Sequence, residues 1–408
     1  MSRSIKGDWI NSYIDDISPA TESPTKYHFW CAAACIAATL KRNVWIDRIK
    51  WKLYPNLYTV LVGRPGIGKG AAMNPAIALM KEAGTVNILS DRITMEYVLE
   101  KLSKGFPKMH IGSNGTGPPG PLQTQTLKLG VESAALLVST ELSVFITASQ
   151  FSITALSDLW DSKEGVYQYG TRGKGEYNLN SPCVSLLGGS AQEWLVKSVP
   201  ADAVGGGFTR RVNFVFAAKK DRKVPWPKSS GRTTALLADD LRQMSLLRGE
   251  FTFTDGARGV FEKYYDSCEP DDFDDEATAV YKTSKWANAS KLAEVLSVSL
   301  NDSMIITEEV LQLAIDKIEE VAQDLKMVFR AVGESDMASA SERVIRFLET
   351  RGFCSRNEIL AHNWRNFTSN ELDVILATFR EAGMVYERFL GNKTLYAWKE
   401  SEDKKGKP

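Results

Sequence analysis

Leu57-Tyr-Thr-Val-Leu-Val62-Gly63-Arg-Pro-Gly-Ile-Gly68-Lys69-Gly70 is the stretch on which the reading of the fold turns. A short run rich in apolar and β-forming residues reads as a strand. It ends in a glycine-rich turn, from which the helix-compatible segment Ala71 to Glu82 departs. Gly63, Gly68 and Lys69 match the spacing GxxxxGK. The glycines let backbone N–H groups curl around a phosphate, and the lysine reaches its outer oxygens. The expected phosphate contacts are Gly63, Pro65, Gly66, Ile67, Gly68, Lys69, Gly70 and Ala71. Gly70 departs from the usual pattern, in which a Ser or Thr hydroxyl at that position binds Mg²⁺.

Further along, Ala135-Leu-Leu-Val-Ser-Thr140-Glu141 is a hydrophobic strand ending in a single acid, the form of a Walker B segment. Glu141 there is expected to polarise the attacking water or to hold the metal. Thr140 stands where an Asp is usual, so both customary Mg²⁺ ligands are weakened. Ser181-Pro-Cys-Val-Ser-Leu-Leu-Gly-Gly-Ser190-Ala-Gln192 is a second apolar strand with small polar residues at its end. Ser190 or Gln192 is placed to sense a γ-phosphate, with a helix N-cap as the alternative role for Ser190.

The chain has 408 residues, which argues for more than one structural unit, and 43% hydrophobic with 25% charged residues is the balance of a globular protein. Lys+Arg and Asp+Glu number 50 each, so no global basic field steers it onto nucleic acid. Any DNA contact has to be local. The acidic run Glu269 to Glu276 reads as a solvated loop. Five cysteines without a CxxC pair or nearby histidines imply a reduced, cytoplasmic compartment and no zinc site. Phe29 to Leu40 is apolar but too short to span a membrane and is expected as a buried helix. The Gly- and Pro-rich stretch from Gly105 to Gly130 reads as a long loop.

Alternating residues around a basic tip in Gly165-Val-Tyr-Gln-Tyr-Gly170-Thr-Arg172-Gly173-Lys174-Gly175-Glu-Tyr-Asn-Leu179 signal a β-hairpin. Gly205-Gly-Gly207-Phe208-Thr209-Arg210-Arg211 leads straight into the strand-like Val212-Asn-Phe-Val-Phe216. After Pro227 the pattern turns helical, with Thr283-Ser-Lys285-Trp-Ala-Asn-Ala-Ser-Lys291 opening one long helix. The order of these motifs resembles AAA+ ATPases, particularly the minichromosome-maintenance-like and bacteriophage-type replicative helicases. The Tyr54-Pro-Asn-Leu-Tyr58 lead-in adds to the bacteriophage likeness. The glycine-lysine-glycine of the loop is shared with adenylate-kinase-like enzymes, but their phosphate loops lie nearer the N-terminus.

The resemblance implies an α/β fold: an AAA+ P-loop core with a helical lid and a C-terminal winged helix. The corresponding divisions are an N-terminal helical segment (1–55), the core (56–227), the lid (228–330), a linker (331–340), the winged helix-turn-helix (341–398) and a disordered tail (399–408). It implies that Arg211, with Arg210 one residue earlier, serves as an arginine finger to a neighbouring subunit. Lys285 becomes a second phosphate sensor, with Lys291 competing for the role. Arg172 and Lys174 become contacts to a DNA backbone in a central pore. ATP and Mg²⁺ are the expected cofactors, with Lys69 on the phosphates and Glu141 on the water. The expected partners are single-stranded DNA, copies of the same chain in a hexameric ring, and a replication protein bound through the winged helix. Two other functions compete with the helicase: a loader or initiator that uses ATP as an assembly switch, and a nucleotide-binding scaffold without hydrolysis.

Overall fold

The computed structural model describes residues 3–90, 93–110, 128–142, 145, 150–171, 175–198, 207–227, 233–271, 274, 276–329, 336–391 and 393–399. The chain divides into two compact units, Met1–Phe329 and Arg330–Pro408. It is a mixed α/β protein built on a parallel sheet. Among the described residues no helix is long and apolar enough to cross a membrane.

The first unit is organised by five strands: β1 (Tyr58–Val62), β2 (Ile88–Ser90), β3 (Ala134–Ser139), β4 (Cys183–Ser190) and β5 (Val212–Phe216). They lie in the order β5-β1-β4-β3-β2, every pairing parallel. All five residues of β1 and all eight of β4 are buried, because helices cover both faces. Parallel pairing puts all carboxyl ends on one edge, the edge where α/β sheets bind ligands. The Gly63–Gly70 turn, Thr140–Glu141 and Ser190 therefore converge there.

The helix Thr25–Leu40 is apolar all round, and every residue from Trp30 to Leu40 is buried. It is a core element rather than an appendage. The helix Lys285–Leu300 is enclosed in the same way, with each residue from Ala287 to Ser299 buried. The helix Glu308–Phe329 packs on β5: Phe329 meets Phe214 edge-on at 5.2 Å, and Asp324 accepts the backbone N–H of Phe216 at 2.9 Å. The helix Thr233–Met244 returns to the N-terminal segment, where Trp9 donates its indole N–H to the Leu237 carbonyl at 3.2 Å. The core and lid expected on either side of 227/228 both lie within one compact unit, Met1–Phe329.

Two further departures concern loops. The expected loop from Gly105 to Gly130 is flanked by two antiparallel arms, Phe106–His110 and Lys128–Glu132, paired from Phe106↔Glu132 to His110↔Lys128. In the acidic run, Asp271 and Asp274 both pair with Lys282, so part of it is tied down.

The second unit packs three helices, Asp336–Arg351, Arg356–Asn363 and Ser369–Glu381, with a hairpin of Val385–Leu390 and Lys393–Trp398. Cys354–Ser355 adds a third antiparallel strand. Ser355 with Glu358, and Thr368 with Glu371, form capping boxes that start the second and third helices. Val344, Leu348, Ile359, Leu372, Phe379 and Trp398 make its core. The first helix begins at Asp336, so the linker expected over 331–340 overlaps its first turn. The tail beyond Lys399 lies outside the described residues.

Candidate functional site at the carboxyl edge of the sheet

The Gly63–Gly70 turn connects β1 to the helix Lys69–Ala83 and is held from below by backbone groups. Gly63 donates its N–H to the Ser190 carbonyl (3.3 Å), and the Val62 carbonyl accepts from the Tyr27 hydroxyl (2.6 Å) and the Ala217 N–H (3.1 Å). A Cβ on Gly63 would lie 2.7 Å from the Tyr27 oxygen and 2.8 Å from the Ala217 carbonyl, a space only glycine can occupy. Gly66 and Gly68 adopt φ of +80° and +106°. That left-handed geometry is favoured by glycine and turns successive N–H groups toward one centre. Ser23 donates its hydroxyl to the Gly68 carbonyl at 3.0 Å. Ile67 is buried and anchors the turn, whereas Pro65, Gly66 and Ala71 are exposed. The helix that follows has no acidic residue in its first turn, leaving its positive end free for an anion.

Lys69 folds back on the turn, and its ammonium donates to the carbonyls of Gly63 (2.8 Å) and Arg64 (3.3 Å). Partial burial lowers its pKa, opposed by the negative charge of Glu141. The structure therefore brings the expected lysine and acid into electrostatic reach of one another. Gly189 explains how: a Cβ there would meet the Thr140 carbonyl at 2.9 Å and the Lys69 Cβ at 3.7 Å, so β3, β4 and the helix start nearly touch. Glu141 is exposed and lines a cavity of about 900 Å³ with Asn74, Lys81, Ser90 and Thr140. This space lies along the outer side of the helix, and the turn itself is not part of its wall. At Gly70 a Cβ would find no atom within 4 Å.

Several expected contacts are placed otherwise. Ser190 reaches the turn through its backbone carbonyl, while its buried hydroxyl donates to the Ala191 carbonyl at 3.1 Å. Gln192 donates to the Met327 carbonyl at 2.6 Å. Neither side chain is directed at the turn by these bonds. Arg211, expected as an arginine finger to a neighbouring subunit, is paired within its own chain. It is 7% exposed, makes a two-pronged ion pair with Asp161 (2.9–3.0 Å), and lies over the Trp160 ring at 5.6 Å. Buried guanidinium demands such a partner, and this one is supplied by the same chain. Arg210 is only half-buried and donates to the Ser284 hydroxyl at 3.0 Å.

Lys285, expected as a second phosphate sensor, is buried, bonded to Glu319 at 2.8 Å and set over the Tyr264 ring. Lys291 is more deeply enclosed. Its ammonium donates to the Asn56 side-chain oxygen (2.6 Å) and the Trp160 carbonyl (3.3 Å), and burial lowers its pKa to about 8. Arg172 and Lys174 lie outside the described residues; the arms flanking them, Val166–Thr171 and Gly175–Asn180, pair antiparallel from Val166↔Asn180 to Thr171↔Gly175.

Spacing did not reveal Ser23 and Tyr27, which shape the turn from a distant part of the chain, or Asp161, which claims Arg211. No local pattern marks these partners, because each acts across the tertiary fold. Among the described residues no group of three or more His, Cys, Asp or Glu could hold a metal ion, and all five cysteines are buried and outside disulfides. No family model matches the chain, and no curated protein matches it.

Proposed function

We propose that this chain is a P-loop ATPase of the AAA+ kind that works on DNA as a ring-forming replicative-type helicase. The observation that carries the proposal is the left-handed Gly66/Gly68 turn with Lys69, facing Glu141 from across the carboxyl edge. β4 lies between the strand that bears the turn and the strand that bears the acid. Two strand spacings separate them, about 10 Å, which leaves room for a terminal phosphate and a water. The loop N–H groups and Lys69 would hold the phosphates, and Glu141 would orient the water. For Mg²⁺ the chain offers Glu141 alone in place of the usual pair of ligands. That fits an ion that keeps several waters and takes its other oxygens from phosphate.

Arg210 rather than Arg211 is the arginine available to a neighbouring subunit. DNA contact is proposed for Arg172 and Lys174 on the hairpin. The C-terminal unit has the helix order of a winged helix. Its third helix carries Glu371, Asp373 and Glu381 against Arg380, with Asp373 held by Arg356, so it is not strongly basic and fits a protein partner as well as a DNA groove.

A second reading, an ATP-dependent loader or initiator switch, is favoured by Gly70 and Thr140, which supply no metal-binding oxygen of the usual kind. The deciding experiment is the ATPase rate with and without single-stranded DNA, together with native mass. A ring whose turnover rises several-fold with DNA supports the motor. ATP binding without turnover supports the switch. A folded chain that binds no ATP overturns both.

A further inference from the structure

A second cavity, of about 620 Å³, lies at the opposite edge of the sheet, where Asn56 and Arg210 precede β1 and β5. Its walls include Arg210, Lys291, Lys163, Trp51, Trp160 and Trp286. The charges around it do not cancel. Arg210 donates to the neutral Ser284 hydroxyl and, among the described residues, has no carboxylate at ion-pair distance. Among the described residues, Lys291 is hydrogen-bonded to neutral oxygens only. Lys50 and Lys163 also line the cavity, are exposed, and form no ion pair among the described residues. Two acids share the walls, but both are already engaged. Asp161 is gripped through both oxygens by Arg211. Glu164 accepts from the Tyr54 hydroxyl at 2.9 Å and faces Lys52 at 3.5 Å and Arg42 at 3.8 Å.

An excess of cations in a partly desolvated space attracts an anion. The tryptophans narrow its nature. Trp51 is 53% exposed, whereas the ring of Trp286 is already packed against Tyr265, Phe261 and Arg48. Indole faces beside cations are the recurring means of holding a ring that carries a phosphate. The volume also suits a small ligand of that size. Ser162 on the cavity wall adopts φ of +49°, a strained geometry for a residue with a side chain and one that concentrates at functional sites.

We propose that this cavity binds a nucleoside phosphate, with its base against Trp51 and its phosphate on Arg210 and Lys163, as a site separate from the Gly63–Gly70 turn. The same chemistry is offered by a free nucleotide and by one nucleotide of a single strand.

The test uses the full chain carrying Lys69→Ala, which disables the turn in every copy and so removes any ATP presented by a neighbour. Adenosine monophosphate and a 5′-phosphorylated oligothymidylate are titrated by calorimetry and by tryptophan fluorescence. One bound equivalent per chain with quenched fluorescence is expected, weakened about tenfold or more by adding Trp51→Ala or Arg210→Ala. Tighter binding of the oligonucleotide assigns a strand as the source, and equal or weaker binding assigns a free nucleotide. Absence of binding in Lys69→Ala overturns the proposal, as does binding indifferent to both added substitutions. Trp51 is half-exposed, so its variant keeps the test valid where Arg210→Ala perturbs the fold. If Lys69→Ala alone retains two equivalents, the turn's assignment fails while the cavity's stands.

Discussion

At the carboxyl edge of the sheet a cation, Lys69, is held by carbonyl oxygens of an exposed turn. At the amino edge a cation, Arg211, is clamped by a carboxylate beneath a tryptophan. Carbonyls are neutral and release an ammonium to a phosphate at little cost. A buried carboxylate does not, because parting the pair leaves both charges desolvated. Under the proposed function, the difference between a working cation such as Lys69 and a structural one such as Arg211 lies in its partner. Arg210 and Arg211 make the same point within two residues: one is committed to Asp161, and its neighbour, among the described residues, bonds only a hydroxyl.

The largest expected effect comes from breaking the structural cation. Asp161→Ala strands Arg211 and should destabilise the first unit by about 3 kcal/mol, the lower end for such pairs, since Asp161 keeps 27% exposure. Urea unfolding measures it, and a loss under about 0.5 kcal/mol, the scatter of an ordinary surface change, would contradict the clamp. Breaking the working cation acts on binding instead. Lys69→Ala should weaken ATP at least about a hundredfold, or about 2.7 kcal/mol, with little change in unfolding midpoint. Lys285→Ala, by contrast, should leave ATP affinity alone.

A third prediction sharpens the contrast through pH. The helix that supplies Tyr27 to the turn also buries His28, whose pKa is lowered from 6.5 to about 4, first by desolvation and then by the charge of Arg222. The unfolded chain binds this proton more readily, so stability is present above pH 6.5 and lost as pH falls toward 4. The loss is on the order of 2 kcal/mol. His28→Gln should flatten that part of the stability profile relative to wild type; an unchanged slope assigns it to other groups. The smallest effect is a gain. Gly70→Ser places a hydroxyl in open space beside the phosphate position and should strengthen Mg²⁺-dependent ATP binding several-fold, up to about tenfold. Equal Mg²⁺ dependence in both proteins would remove the metal from that corner.

Much of the sheet could be read from local composition. Runs expected at Ala135–Thr140, Val184–Leu187 and Val212–Ala217 are the strands Ala134–Ser139, Cys183–Ser190 and Val212–Phe216. Buried parallel strands are apolar on both faces and stand out as continuous runs. Ile88–Ser90 did not stand out, because three residues carry too little pattern and its pairing with β3 is what makes it a strand. The helices after Pro227 were visible as helices. Their place on the sheet was not, since the helix Lys285–Leu300 buries Asn288, Lys291 and Glu294 along with its apolar residues, so its polar positions do not mark an outward face.

The sequence by itself determined the strand, turn and helix around Gly63–Gly70, because left-handed glycines and a lysine at fixed offsets are properties of neighbouring residues. It also determined that an acid follows β3. Only the tertiary structure decided that Glu141 stands within reach of Lys69, that Tyr27 and Ser23 hold the turn, and that Arg211 and Lys285 are spent on Asp161 and Glu319. The reason is physical: a charged side chain takes its role from burial and from the partner it meets. In this fold those partners lie as far as 50 positions from Arg211 and 34 from Lys285 along the chain.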